Sequence, residues 1–318
     1  MRTMGFPIST KENELRRALI PSDLKKIKNV DYLYFEEGYG KPLGYTDDEY
    51  INYGVHITTR DDVLSKDIIC DPKVGDEAYI SELKAGQILF GWIHAIQNKD
   101  ITDKLVNNGL TSFAWEDMFE EGRHVFWHNN EMAGEAAIMH AFQCYGKMPY
   151  DTKVALIGRG NVSRGALRIL TCLGAKVIVY DRRTESLFRK EMYEYDVIVN
   201  ALLWDTSRTD HLVYESDLKK FKSSSLIIDI SCDRAGAIET SIPTSIEKPV
   251  YFKHGVMHYV VDHTPSLFYK TATEGISKEV CKYIDQLIEN DIGKVLQKAL
   301  NIENGEIIDK RINEYQNR

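Results

Sequence analysis

The apolar positions of this chain fall into short runs separated by polar segments with helical spacing. Residues 153–158, Lys-Val-Ala-Leu-Ile-Gly, are apolar almost without a break and stop at a glycine, the pattern of a parallel strand covered on both faces. A helix-like stretch from about Asn161 to Leu173 follows, then Gly174, then a second buried-strand run, Lys176–Tyr180, closed by Asp181. That order predicts a βαβ unit. Further runs at Asp196–Ala201, Ser225–Ile230 and Tyr259–Val261 extend it to a doubly wound parallel sheet. In the first third, Val30–Phe35, Asp67–Cys70 and Ile88–Ile96 alternate with helical patterns, so this part also reads as α/β. From about Thr271 the tail is charged, with apolar residues at helix spacing; it predicts helix without a further strand, able to pack back on the first domain.

A length of 318 residues favours two domains, each with its own core. The 43% hydrophobic and 28% charged residues exclude a disordered chain. A net charge of −8 argues against nucleic acid or an anionic membrane as principal partner, while leaving room for local positive charge around a small ligand. The five cysteines are odd in number, widely spaced and free of any CxxC pair, which predicts buried thiols in a reducing compartment. The opening residues have no apolar core of a signal peptide, and no later stretch approaches the ~18 residues of a membrane span, so a cytoplasmic location is expected. The eight prolines are dispersed and no repeat or flexible linker marks a boundary, so the motifs must supply it.

The turn Gly158-Arg159-Gly160-Asn161-Val162-Ser163 stands where a dinucleotide fold carries G-x-G-x-x-G. The first glycine makes the tight turn, the second lets backbone N–H groups approach a pyrophosphate, and the helix N-terminus favours negative charge. Ser163 replaces the third glycine, which normally permits close packing, and Gly165 two residues on can relieve the same crowding. Asp181, at the end of the next strand, completes the fingerprint. Alone it favours a ribose 2′-hydroxyl and hence NAD, whereas Arg182 and Arg183 beside it can pair with a 2′-phosphate and favour NADP. His124 and His128, like His254 and His258, are spaced by four but lack the Glu of a H-E-x-x-H metal motif, and chance accounts for both pairs.

Five further segments occur in a telling order. Asn13-Glu14-Leu15-Arg16-Arg17-Ala18-Leu19-Ile20-Pro21 opens the chain, and Lys73 precedes Gly86-Gln87-Ile88-Leu89-Phe90 and then His94. Asn130-Glu131-Met132-Ala133-Gly134, Asp229-Ile230-Ser231-Cys232-Asp233-Arg234-Ala235-Gly236 and Tyr269-Lys270-Thr271 follow. Together these resemble the alanine dehydrogenase and transhydrogenase family from about residue 10 to 285.

That resemblance implies two Rossmann-like domains, the nucleotide domain (129–267) being a doubly wound parallel sheet inserted in a substrate or catalytic domain (1–128 and 268–318). It implies a pyruvate carboxylate and carbonyl held by Arg16 and Lys73, His94 as acid/base, and Asp233 close to the nicotinamide, with Asn130 among the cofactor-binding residues. The residue types suit these tasks: a guanidinium fork grips a carboxylate, an ammonium polarises a carbonyl oxygen, and an imidazole exchanges protons near neutrality. Where the family reads N-M-P, this chain has Asp262-His263-Thr264-Pro265. Extra acid there suits a second substrate carrying an amine, and together with the short length and the sequence His263-Thr264-Pro265-Ser266 it resembles an opine-forming branch of the family, which implies that the imine of pyruvate and the ornithine δ-amine is reduced by NADPH. Alanine dehydrogenase chemistry with ammonia, a saccharopine dehydrogenase-like reaction with lysine, and a nucleotide-binding protein without activity are the alternatives. A homo-oligomer is the expected state.

Overall fold

The computed structural model describes residues 1–205 and 208–318. Its strands begin with β1 (Met4–Phe6), β2 (Leu33–Glu36), β3 (His56–Thr58), β4 (Ile68–Cys70), β5 (Ile88–Gly91), β6 (Thr111–Ala114), β7 (Phe119–Glu120) and β8 (Arg123–His124). They continue as β9 (Lys153–Ile157), β10 (Lys176–Tyr180), β11 (Val197–Asn200), β12 (Leu226–Asp229), β13 (Val250–Lys253), β14 (Val256–Tyr259), β15 (Leu300–Glu303) and β16 (Glu306–Ile307). Two compact units share the chain: Met1–Trp127 with Tyr269–Arg318, and His128–Phe268.

In the first unit the sheet runs β16-β15-β6-β5-β4-β1-β2-β3. The strands from β6 to β3 are all parallel, and β15 and β16 add an antiparallel edge. Side chains alternate between the faces as the strand period requires. Ile68, Cys70, Ile88 and Phe90 pack into one cluster with Ile276, Val280, Ile284 and Leu287 of helix Tyr269–Glu289, whereas Ile69 and Leu89 enter another with Ile93 and Leu105. The chain order along the sheet reverses between β1 and β4, and the loops leaving the carboxyl ends of strands at such a switch are where open α/β sheets bind ligands. Pro7–Arg17 and Asp71–Glu77 leave these two strands.

The second unit repeats the principle with the order β10-β9-β11-β12-β14-β13, parallel except for the edge hairpin β13–β14. Val154 and Leu156 face helices Trp127–Tyr145 and Asn161–Cys172, while Ala155 and Ile157 face Phe188 and Met192. Its switch lies between β9 and β11, so the glycine turn after β9 stands at the ligand-binding end.

Three expectations need correction. The last parallel strand is Val256–Tyr259 rather than Tyr259–Val261, because His258 is a core residue: its ring stacks on Tyr251 at 4.9 Å and Nε2 lies 2.8 Å from Thr240 Oγ1. The tail does carry strands, β15 and β16, with Ile302 fully buried and Asn301 bonded to Ser112 of β6. Of the cysteines only Cys70 and Cys281 are buried; Cys144 and Cys232 are half-buried and Cys172 is exposed. Among the described residues no helix is long and apolar enough to cross a membrane.

Candidate active site

In the first unit Arg16, Lys73 and His94 come from loops that follow β1, β4 and β5. Arg16 is buried and oriented by Glu14, which accepts from its Nε at 2.8 Å and Nη2 at 2.5 Å, and the guanidinium lies 5.2 Å from the Trp92 ring centroid. Burial works against ionisation of Glu14, but Arg16 overrides it and holds the carboxyl below its ordinary range. Lys73 is also buried, with Nζ 2.9 Å from Asp76 Oδ2, an oxygen shared with Lys11 at 2.6 Å. Desolvation opposes the charge on Asp76 but the two lysines prevail, lowering its pKa to about 2. The Gly75 N–H ties the Lys73 loop to the His94 loop by donating to Trp92 O at 3.0 Å, and the approach requires glycine, since a Cβ there would stand 2.2 Å from Ile93 O.

His94 adopts a left-handed backbone, φ 57°, uncommon for a residue with a Cβ. Glu116 clamps it there: the carboxylate accepts the N–H of His94 at 2.5 Å and of Ile93 at 3.2 Å. The ring keeps 43% of its surface exposed and its Nδ1 lies 4.0 Å from Glu116 Oε1. Partial desolvation draws its pKa below the ordinary imidazole value, Glu116 opposing and Lys73 reinforcing the shift. Behind Lys73, Asp71 accepts from the Lys73 N–H at 2.9 Å and from Tyr79 Oη at 2.9 Å; burial and the nearby Glu77 push its pKa up to about 7. The roles of Glu14, Asp71, Asp76 and Glu116 were not assigned from sequence. The first three lie within two or three residues of an expected site residue, whereas Glu116, 22 positions beyond His94, has no sequence signal.

In the second unit Gly158 takes φ 122°, and a Cβ there would meet Ala201 O at 2.6 Å. Gly160 caps helix Asn161–Cys172 and faces open space, with no atom within 4 Å of a Cβ position. Val162 is half-buried in the first turn; buried Ser163 turns its hydroxyl inward to Gly158 O at 2.7 Å. Close packing has moved to Gly165, whose Cβ would lie 1.8 Å from Glu131 O. Asn130 lies in the first turn of helix Trp127–Tyr145. Asp181 is held by Arg159 at 2.8 Å and by the Arg183 N–H at 2.9 Å, with exposed Arg182 adjacent. An open glycine at a twelve-residue helix N-terminus, followed by a strand-end acid, fits the pyrophosphate and ribose of a nicotinamide dinucleotide.

Beyond β12, Asp229 is buried and accepts from Asn200 at 2.8 Å and from Ser241. Four residues on, Asp233 is half-buried, and desolvation with the nearby Asp229 raises its pKa to about 7. Asp262 and buried His263 follow β14 and pair at 2.5 Å, Oδ1 to Nδ1. Among the described residues no group of three or more His, Cys, Asp or Glu is placed to hold a metal ion.

Three family models match the chain. The alanine dehydrogenase/PNT N-terminal domain matches residues 5–129 and its C-terminal domain 182–310; the NAD binding domain of D-isomer specific 2-hydroxyacid dehydrogenases matches 116–241. The chain belongs to the alanine dehydrogenase/PNT family and is an NAD(P)-dependent oxidoreductase. Within it, the N(5)-(carboxyethyl)ornithine synthase of Lactococcus lactis subsp. lactis is 31% identical over 303 residues, 90% of this chain and 95% of the relative. Alanine dehydrogenase 1 of Staphylococcus aureus is 25% identical over 346 residues, 96% and 91% of the two chains. The solved structure of an L-alanine dehydrogenase has the same fold, with a TM-score of 0.82 at 22% identity over 99% of each chain.

Proposed function

We propose that the chain catalyses NADPH-dependent condensation of pyruvate with the side-chain amine of L-ornithine, giving N5-(L-1-carboxyethyl)-L-ornithine. The observation that carries this reading is the buried pair of cations, Arg16 and Lys73, beside His94, in a chain with more identity to the ornithine synthase than to the ammonia-using alanine dehydrogenase. In this reading the first unit is the substrate domain and the second the dinucleotide domain. Arg16, its plane set by Glu14, holds the pyruvate carboxylate; Lys73 polarises the C2 carbonyl oxygen. The amine attacks C2, and neutral His94 accepts the proton released by the attacking nitrogen. His94 returns it to the former carbonyl oxygen, giving the carbinolamine, and a second proton taken up from solvent and delivered by His94 lets the hydroxyl leave as water, so that the protonated imine forms. A bound nicotinamide supplies the hydride that reduces the imine carbon. In this reading Asp233, four residues beyond β12, is the acid close to the nicotinamide.

Asp262 and His263 provide for the diamino acid. The Asp262 carboxylate, paired with His263, has lone pairs to accept from a substrate ammonium as well, and ornithine brings an α-ammonium that ammonia cannot. Asp262→Asn is therefore expected to raise the KM for ornithine by about 10- to 100-fold, the loss of one charge-assisted hydrogen bond, with little change in Tm. If Tm falls while the ornithine KM stays put, Asp262 only caps its turn and the amine-binding role is wrong.

A further inference from the structure

We infer that Arg159, the arginine inside the glycine turn, decides cofactor choice by masking Asp181; the inference rests on the NADPH reading above. Both oxygens of Asp181 are occupied. Oδ1 accepts the Arg183 backbone N–H at 2.9 Å and Oδ2 accepts Arg159 Nε at 2.8 Å. The acid that would receive a ribose 2′-hydroxyl is thus engaged and neutralised from within the turn.

The pair has no strong structural purpose. Arg159 is 62% exposed, and exposed ion pairs contribute little to stability. Its two Nη nitrogens make no hydrogen bond among the described residues, so a planar pair of donors stands beside the position of the 2′ substituent. Arg183, 90% exposed, lies 3.8 Å from the same carboxylate oxygen, and Arg182 lines the adjoining pocket with Ile157, Leu202 and Trp204. Arg208, the other arginine of that pocket, is committed: it binds Glu185 and Asp210 and lies 4.5 Å from the Trp204 ring centroid. Two guanidiniums, those of Arg159 and Arg183, therefore face one carboxylate, and Arg182 lines the pocket beside it, an environment for a dianionic phosphate rather than for a hydroxyl that needs a bare acceptor. Arg182 and Arg183 add attraction. Arg159 does two things at once, supplying donors and removing the repulsion Asp181 would exert.

Direct titration of NADPH and NADH fluorescence on the full-length protein separates these contributions. The unmodified protein should bind NADPH more tightly. Arg159→Gln should weaken NADPH about 10- to 100-fold while leaving NADH unchanged or tighter, because the unmasked carboxylate repels one and accepts from the other. Arg159→Gln with Asp181→Asn should regain much of the NADPH affinity, since no charge is left to mask. Arg182→Ser with Arg183→Ser should weaken NADPH without improving NADH. If the unmodified protein prefers NADH, the NADPH reading falls and this inference falls with it. If it prefers NADPH but Arg159→Gln leaves the ratio intact or weakens both cofactors alike, or the double variant regains nothing, the inference alone is overturned.

Discussion

The two glycines of the nucleotide-binding helix should fail in opposite ways when each becomes alanine. At Gly165 the new Cβ would stand 1.8 Å from Glu131 O and 2.6 Å from its carbonyl carbon, so the crossing helices would have to separate by roughly 1.5 Å. They are not free to do so. Arg164 and Arg168 hold the Glu131 carboxylate at 3.1 and 2.7 Å, and Gly134 makes the reciprocal contact, its Cβ position 2.0 Å from Val162 O. Overpacking of this kind costs about 1–3 kcal/mol, a fall in Tm of a few degrees for a chain of this size. At Gly160 the same methyl meets nothing, and its backbone, φ −76° and ψ −171°, suits alanine. Gly160→Ala should melt within about 1 kcal/mol of the parent, the difference between a glycine and an alanine cap. Its methyl, however, occupies the approach of the pyrophosphate, and affinity for NADPH and NADH should drop together by about tenfold or more. Thermal denaturation by circular dichroism without cofactor, paired with fluorescence titration, reads both quantities. A Gly160→Ala protein that binds both dinucleotides like the parent, or a Gly165→Ala protein that melts like it, would refute the division of labour.

His94→Ala should lower turnover by about 10²- to 10⁴-fold with nucleotide affinity retained, and near-parental turnover would remove it from the acid/base role. Since desolvation keeps the ring neutral to lower pH than usual, kcat/KM for pyruvate should fall only as pH drops below the ordinary imidazole value of 6.5, and that limb should vanish in His94→Gln. Asp233 has a folded pKa of about 7 against an ordinary 3.8. Below about pH 4 both states are protonated and it has no effect; as pH rises to about 7 the unfolded chain ionises first, so the folded state loses stability. Asp233→Asn should therefore raise stability at pH 8 by about 1–2 kcal/mol after allowance for solvent screening, with no gain near pH 4; equal gains at both would show that the shift is not the cause.

The nucleotide-binding βαβ unit was legible because its signals are local. An apolar run stops at Gly158, another begins after Gly174 and ends at Asp181, and the strand Lys176–Tyr180 lies where the pattern puts it. The order of the first sheet was not, since β1, β3 and β4 are three residues each and their neighbours are chosen by pairing across distant sequence. β14 was displaced by a buried histidine that reads as polar, and β15, Leu-Asn-Ile-Glu, is too short to separate from the helical tail. The candidate site shows the same divide. Spacing singles out Lys73 and His94 as candidates, but the carboxylates beside the candidate residues come there through geometry: Glu116 reaches His94 across 22 residues, and Glu14 grips Arg16 because the chain bends back within two. For Asp181 the sequence shows only the two arginines that follow it, whereas its nearest cation is Arg159, 22 residues earlier on another turn.

The most direct test of the central claim is to incubate the purified protein with NADPH and pyruvate plus ornithine, lysine or ammonia in turn, and to identify each product by mass spectrometry and NMR. The account predicts rapid NADPH oxidation with ornithine and a secondary amine whose carboxyethyl group sits on the side-chain nitrogen. Faster oxidation with ammonia, yielding alanine, or a product linked through the α-nitrogen, would contradict it.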